Sequence, residues 1–144
     1  MKVVLDTDVV VAALRSPAGA SAELLRQARH GRIRLAASVS LFIEYESVCT
    51  REPHLLAAGL SLQSAGVFLD ALAAFVEPVP IHFLWRPQLH DPADELVLEA
   101  AVNAAADALL SFNLRHFRPA AERFGLLVAP PGPFLHEFLR GTLS

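Results

Sequence analysis

Residues 1–14 read MKVVLDTDVVVAAL. Val3, Val4 and Leu5 have the unbroken apolar, β-branched character of a buried strand, and Val9 to Leu14 read as the apolar start of a helix. Asp6 and Asp8 stand between them. Ionised carboxylates are expensive to bury unless paired, hydrogen-bonded or bound to a cation. Either these acids mark a turn and a helix cap, or they hold something positive.

Outward from this stretch, apolar periodicity alternates between strand and helix. Residues 2–6 form a first strand and 8–14 a short helix, with a turn at Ser16-Pro17-Ala18-Gly19. SAELLRQARHG is a helix capped by Ser21 and stopped by Gly31. IRLAAS is a second strand, and SLFIEYESVCTRE a helix that Pro53 ends or kinks. LSLQSAGVFLDALAAF is a helix, EPVPIHF is extended, and DPADELVLEAAVNAAA opens with Asp and Pro, a helix-start signal. ALLSF is a buried strand, NLRHFRPAAERFG a loop with a short helix, LLVAP the last strand, and PGPFLHEFLRG a closing helix. This order predicts an α/β fold with a mostly parallel sheet flanked by helices, in one domain spanning residues 1–144. Functional groups in such sheets gather beyond the carboxyl ends of strands, where strand order reverses. Asp6 sits at one strand end and Ser111 to Asn113 at another.

The totals narrow the class. The chain is 53% hydrophobic and 19% charged, which argues against disorder. Glu77, Pro78 and Pro80 interrupt the longest apolar run, so no membrane span is expected, and the start carries no signal-peptide pattern. Cys49 is the single cysteine; it reads as packing and fits a reducing cytoplasm. A net charge of −3 argues against a generic polyanion-binding surface. Eleven of the twelve basic residues are Arg, which suits two-pronged phosphate contacts and equally follows from GC-rich coding.

Four places can supply oxygen ligands: Asp6 with Asp8, Glu44, the group Asp91, Asp94 and Glu95, and Asn113. Scattered hard oxygens suit Mg²⁺ or Mn²⁺, which take one or two direct carboxylates plus waters and phosphate. The six histidines show no paired spacing for zinc. Each acid also has a structural reading. Asp8 reads first as the cap of the following helix, whereas Asp6 is harder to explain as a cap. Glu44 either faces the core side or shares an exposed face with Glu46. Asp91 reads as the cap before Pro92, with Asp94 and Glu95 favouring the helix dipole. Asp107 reads as a surface turn residue.

Three ordered blocks then carry a resemblance. VVLDTDVVVAALRSPAGASAELL, LFIEYESV and HDPADELVLEAAVNAAADALLSFNLRHF resemble the successive acidic segments of PIN-domain nucleases, in particular the branch of toxins from toxin–antitoxin pairs akin to VapC. The FLHEFL helix closes the match, and residues 53–84 carry little signature. The resemblance implies a three-layer PIN-like sandwich and a cytoplasmic, Mg²⁺- or Mn²⁺-dependent endoribonuclease that leaves a 3′-hydroxyl and a 5′-phosphate. It implies Asp6 as the first acid, Glu44 as the second and the Asp94 neighbourhood as the third, ranked Asp94, Glu95, Asp91. The fourth acid of many members falls on Asn113, a departure that removes one charge and favours one firmly held ion. Asp6 and Asp94 would be the principal metal ligands, and Glu44 would hold water or assist deprotonation. Thr7 and Ser111 would contact ligand or substrate, and Arg15, Arg115 and Arg118 are candidates for backbone phosphates. An antitoxin partner and a homo-oligomer (dimer or tetramer) are further expectations, the latter because Phe68, Leu69, Leu72 and Phe75 must be covered, unless they are ordinary core.

Two rivals remain. A PIN-like protein that binds RNA or a partner with weakened catalysis is favoured by Asn113. A phosphatase of the haloacid dehalogenase class shares the DxD but needs a downstream lysine, and Lys2 is the only lysine.

Overall fold

The computed structural model describes residues 1–83, 89 and 91–143; His90, one of the histidines set aside as a zinc ligand, lies outside them. The chain runs β1 (Lys2–Leu5), α1 (Thr7–Arg15), α2 (Ala20–Arg29), β2 (Arg34–Ala37), α3 (Val39–Cys49), α4 (Glu52–Ala58), α5 (Leu62–Phe75) and β3 (Val76–Pro78). It continues through α6 (Pro92–Asn103), β4 (Ala108–Leu110), α7 (Leu114–Phe124), β5 (Leu127–Ala129) and α8 (Pro131–Leu139). The described strands form one sheet in the order β3-β2-β1-β4-β5, with every pairing parallel.

β1 is central because its Val3, Val4 and Leu5 are buried on both faces. It pairs with β2 on one side and β4 on the other, so strand order reverses between β1 and β4. α6 packs against β1, β2 and β4, with α3 and α7 beside it, while α1 packs on α2 and α3. β3 is an edge strand, where Pro78 removes no needed ladder bond. Arg34 of β2 grips Glu77 of β3 with two hydrogen bonds, at 2.7 and 3.1 Å. No described helix alone is long and apolar enough to cross a membrane.

Several elements differ from the sequence expectations, each for a local reason. Helix α1 is capped by Asp6, whose side chain accepts from Thr7 N–H, so Asp8 lies in the first turn and is not the cap. Helix α2 begins one residue before Ser21: Gly19 occupies the cap position in extended backbone, and Ser21 is buried. Pro53 does not end or kink α3. That helix stops at Cys49, and Pro53 sits in the first turn of the separate helix α4, where its missing N–H costs nothing. Residues 114–124 form one continuous helix, not a loop with a short helix; the strongly amphipathic α7 carries Pro119 because Phe117, Ala120 and Ala121 are buried beside it. Leu69 and Leu72 are ordinary core, with Phe68 and Phe75 packed against it.

Tyr45 of α3 pins the central strand. Its buried hydroxyl donates to the Leu5 carbonyl at 2.6 Å, one residue before Asp6. Tyr45→Phe leaves the packing but removes this bond. The expected loss is about 1–2 kcal/mol, read as a melting temperature lowered by roughly 2–4 °C per kcal/mol.

Candidate metal centre

The register of the central pair sets the site. Leu5 of β1 lies opposite Leu110 of β4, so Asp6 and Ser111 leave the sheet side by side. Asp6 N–H donates to the Leu110 carbonyl at 2.8 Å, which fixes the carboxylate beside β4. Its Oδ1 accepts from Thr7 N–H at 2.7 Å and its Oδ2 from Ser111 Oγ at 2.6 Å. The same Ser111 hydroxyl accepts from Asn113 N–H at 2.8 Å, so it has both partners it needs while fully buried.

Asp8 lies two residues on, at the mouth of α1. Its Oδ2 accepts from Phe112 N–H at 3.1 Å and from the Asn113 side-chain amide at 3.0 Å. Its Oδ1 is covered and has no hydrogen-bond partner among the described residues. Such an orphaned anionic oxygen is costly without a cation. Burial, and then the negative charge of Asp6, push the Asp8 carboxyl up to about 7. Burial likewise raises Asp6, against the hydrogen bonds from Ser111 and Thr7. Asp94, in the first turn of α6, is raised by burial and then by the charges of Asp6 and Asp91. Burial thus makes all three carboxyl groups hold protons more strongly than ordinary carboxylates, and the charge of Asp6 adds to the effect on Asp8 and Asp94.

The other expected residues fall into place around them. Asp91 caps α6, its Oδ1 accepting from Ala93 N–H at 2.8 Å. Glu95 accepts from Leu89 N–H and so is directed along the chain before α6. Glu44 is half-buried on α3; among the described residues no hydrogen bond or ion pair joins it to Asp6, Asp8 or Asp94. Its neighbour Tyr45 is the α3 residue that reaches β1. Thr7 is buried, with its backbone on Asp6, whereas Arg15, Arg115 and Arg118 are exposed. His116 was missed as a site residue. Its Nδ1 lies 3.3 Å from Asp94 Oδ2, and its signal was its place in the first turn of the helix that Asn113 caps.

The donor set is hard oxygen with one orphaned carboxylate atom, which fits Mg²⁺ or Mn²⁺. Among the described residues no three Asp, Glu, His or Cys side chains are gathered tightly enough to hold an ion unaided. Mg²⁺ does not require that, since waters and substrate phosphate complete its shell. A cavity of about 580 Å³ adjoins the acids, lined by Thr7, Asp8, Val11, Arg15, His54 and Phe112 among others.

The raised Asp8 group links stability to pH. The folded chain keeps this proton to about pH 7, whereas the group's ordinary value is 3.8. Its stabilising contribution is therefore full below the lower value and is lost as pH rises through the upper one. In chelator, Asp8→Asn should raise the melting temperature at pH 8 and leave it nearly unchanged at pH 4. Solvent screening of this half-buried group limits the gain to about 1–2 kcal/mol. Thermal unfolding across pH measures it; a variant less stable at pH 8 would contradict the assignment.

No curated protein matches the chain. Among solved structures, one similar chain comes from the crystal structure of VapBC2 from Rickettsia felis bound to a DNA fragment from their promoter. The two share 15% identity with a TM-score of 0.58, over 89% of this chain and 97% of that one. At that identity the likeness establishes the fold, a five-stranded parallel sheet flanked by helices. A PIN domain family model matches residues 2–115, from β1 through β4 to the start of α7 and including every acid of the cluster. This chain belongs to the PIN domain family.

Proposed function

We propose that this chain is a single-domain, metal-dependent endoribonuclease that hydrolyses phosphodiester bonds in RNA, the toxin of a type II toxin–antitoxin pair. The observation that carries the reading is the orphaned Asp8 Oδ1 beside Asp6, whose charge bears on both Asp8 and Asp94. Membership of the PIN domain family, whose members are generally nucleases, supports it. The toxin assignment draws on the likeness to a chain of a VapBC2 complex and on the sequence resemblance.

A bound Mg²⁺ or Mn²⁺ would supply charge neutralisation at the scissile phosphate and an acidified water. Asp6 and Asp94 are the principal ligands in this reading, with Asp8 offering its free oxygen and Glu44 holding water further out. Ser111 and Thr7 orient Asp6. Asn113 positions Asp8 through its amide. His116 holds Asp94 in place. Arg15 and Arg115 are exposed and available for backbone phosphates. A cytoplasmic setting is supported by the buried, unpaired Cys49, whose thiol burial pushes up to about 11. Exposed Leu56, Leu62 and Val67 on α4 and α5 offer apolar surface for an antitoxin or a second copy.

One observation favours a second reading, an RNA- or partner-binding protein with weakened catalysis. Asn113 stands where many relatives place a fourth acid, and it donates to Asp8 where an acid would repel it.

Isothermal titration with Mn²⁺ and an RNA cleavage assay separate the two. Wild type should bind Mn²⁺, releasing a proton near pH 6, and cut single-stranded RNA. Asp6→Asn should keep the fold and lose activity by roughly 10²-fold or more. Equal Mn²⁺ binding by both proteins would remove Asp6 from the site, and RNA binding with neither cleavage nor metal uptake would establish the second reading. Asn113→Asp should tighten Mn²⁺ binding while lowering metal-free stability at pH 8, since it sets a further charge against Asp8.

A further inference from the structure

The cavity shares Asp8 with the acid cluster and continues from it along α1 to α3 and α4. At about 580 Å³ it has the size of a small-molecule site, and its lining is largely apolar, with Val11 and Ala12 of α1 and Val48 of α3. Phe112 joins the two regions. Its backbone N–H donates to Asp8 Oδ2, while its side chain lines the cavity and the residue remains 53% exposed. The core does not use this ring. Arg15 lines the same cavity, is exposed, and makes no hydrogen bond or ion pair with a described residue. His54 of α4 lines it as well, and its Nδ1 is covered without a hydrogen-bond partner among the described residues.

An aromatic face, an uncommitted cation and a histidine ring beside a phosphate-cleaving centre match the parts of one nucleotide: a flat base, its polar edge and its phosphate. An apolar side chain from a protein partner would use Val11, Ala12 and Val48 but leave Arg15 and His54 without a complement. We propose that this cavity is a nucleobase subsite, in which Phe112 stacks on the base next to the scissile phosphate, His54 meets its polar edge and Arg15 its backbone. The inference rests on the nuclease reading and adds to it. The substrate must present an unstacked base, so the enzyme acts on single-stranded loops or tails and not on duplex.

The test compares wild type with Phe112→Ala and with Ala12→Phe, which fills the cavity from α1. Thermal unfolding checks that both fold; Phe112 is exposed, so its truncation leaves no core void. With Mn²⁺ and a short single-stranded RNA, both variants should raise KM by roughly tenfold and change kcat less. Phe112→Trp should restore the wild-type KM. A substrate abasic next to the cut should lose the same factor with wild type and nothing further with Phe112→Ala. Fluorescence anisotropy of the same RNA in chelator should report the same loss of affinity without any cleavage. If wild type cuts RNA and both variants keep its KM, the subsite is refuted and the nuclease reading stands. If wild type cuts nothing but its RNA affinity depends on Phe112, the subsite stands and the nuclease reading falls. Ala12→Phe releasing a co-purifying protein while RNA affinity is unchanged would also refute it.

Discussion

The site depends on the parallel register between β1 and β4. Pairing Leu5 with Leu110 makes Asp6 and Ser111 the first residues beyond the sheet on adjacent strands, close enough for a 2.6 Å hydrogen bond between residues 105 apart in sequence. A slip of one residue would exchange the faces that Val4 and Leu5 occupy and separate the pair. Burial prevents the slip, because Val3, Val4, Leu109 and Leu110 are all fully enclosed. Tyr45 adds a hydrogen bond to Leu5 from α3. The same packing that stabilises the core therefore places the first carboxylate.

Electrostatics works against this arrangement. Asp6, Asp8 and Asp94 are each driven toward the protonated form by burial, and the charge of Asp6 adds to the effect on the other two. Donors from β4 and the start of α7 soften the conflict: Ser111 serves Asp6, Phe112 and Asn113 serve Asp8, and His116 faces Asp94. One oxygen of Asp8 is left over. Groups tuned this way away from their ordinary titration are a physical mark of a working site, here one suited to a divalent ion. Asn113 is informative in this setting, since an amide both removes a charge and satisfies Asp8.

The proposed base stacking and the net charge of −3 are compatible. Nonspecific attraction to phosphate would need a basic surface. Stacking on Phe112 with a few placed arginines needs none, and it favours flexible strands over duplex. Arg34 and Arg26 are already committed to Glu77 and Glu23, so the exposed arginines near the acids matter more than the total.

How much was legible follows from the range of the forces involved. The sequence by itself determined the α/β alternation, the buried character of β1, the Asp91-Pro92 start of α6 and the strand ends at which Asp6 and Ser111 stand, because periodicity and turn chemistry act over a few residues. It misjudged neighbouring caps: Asp6 and not Asp8 caps α1, and Gly19 and not Ser21 stands before α2, since a cap is chosen by backbone dihedrals that sequence does not display. It also read residues 113–125 as a loop with a short helix, where the structure has one continuous α7 in which burial of Phe117 outweighs the hydrogen bond lost at Pro119. Only the tertiary structure decided that Asn113 bonds to Asp8, that His116 faces Asp94, that Glu95 turns toward Leu89, and that Phe112 borders a cavity. These are contacts across tens of residues, fixed by sheet order and packing rather than by any local pattern.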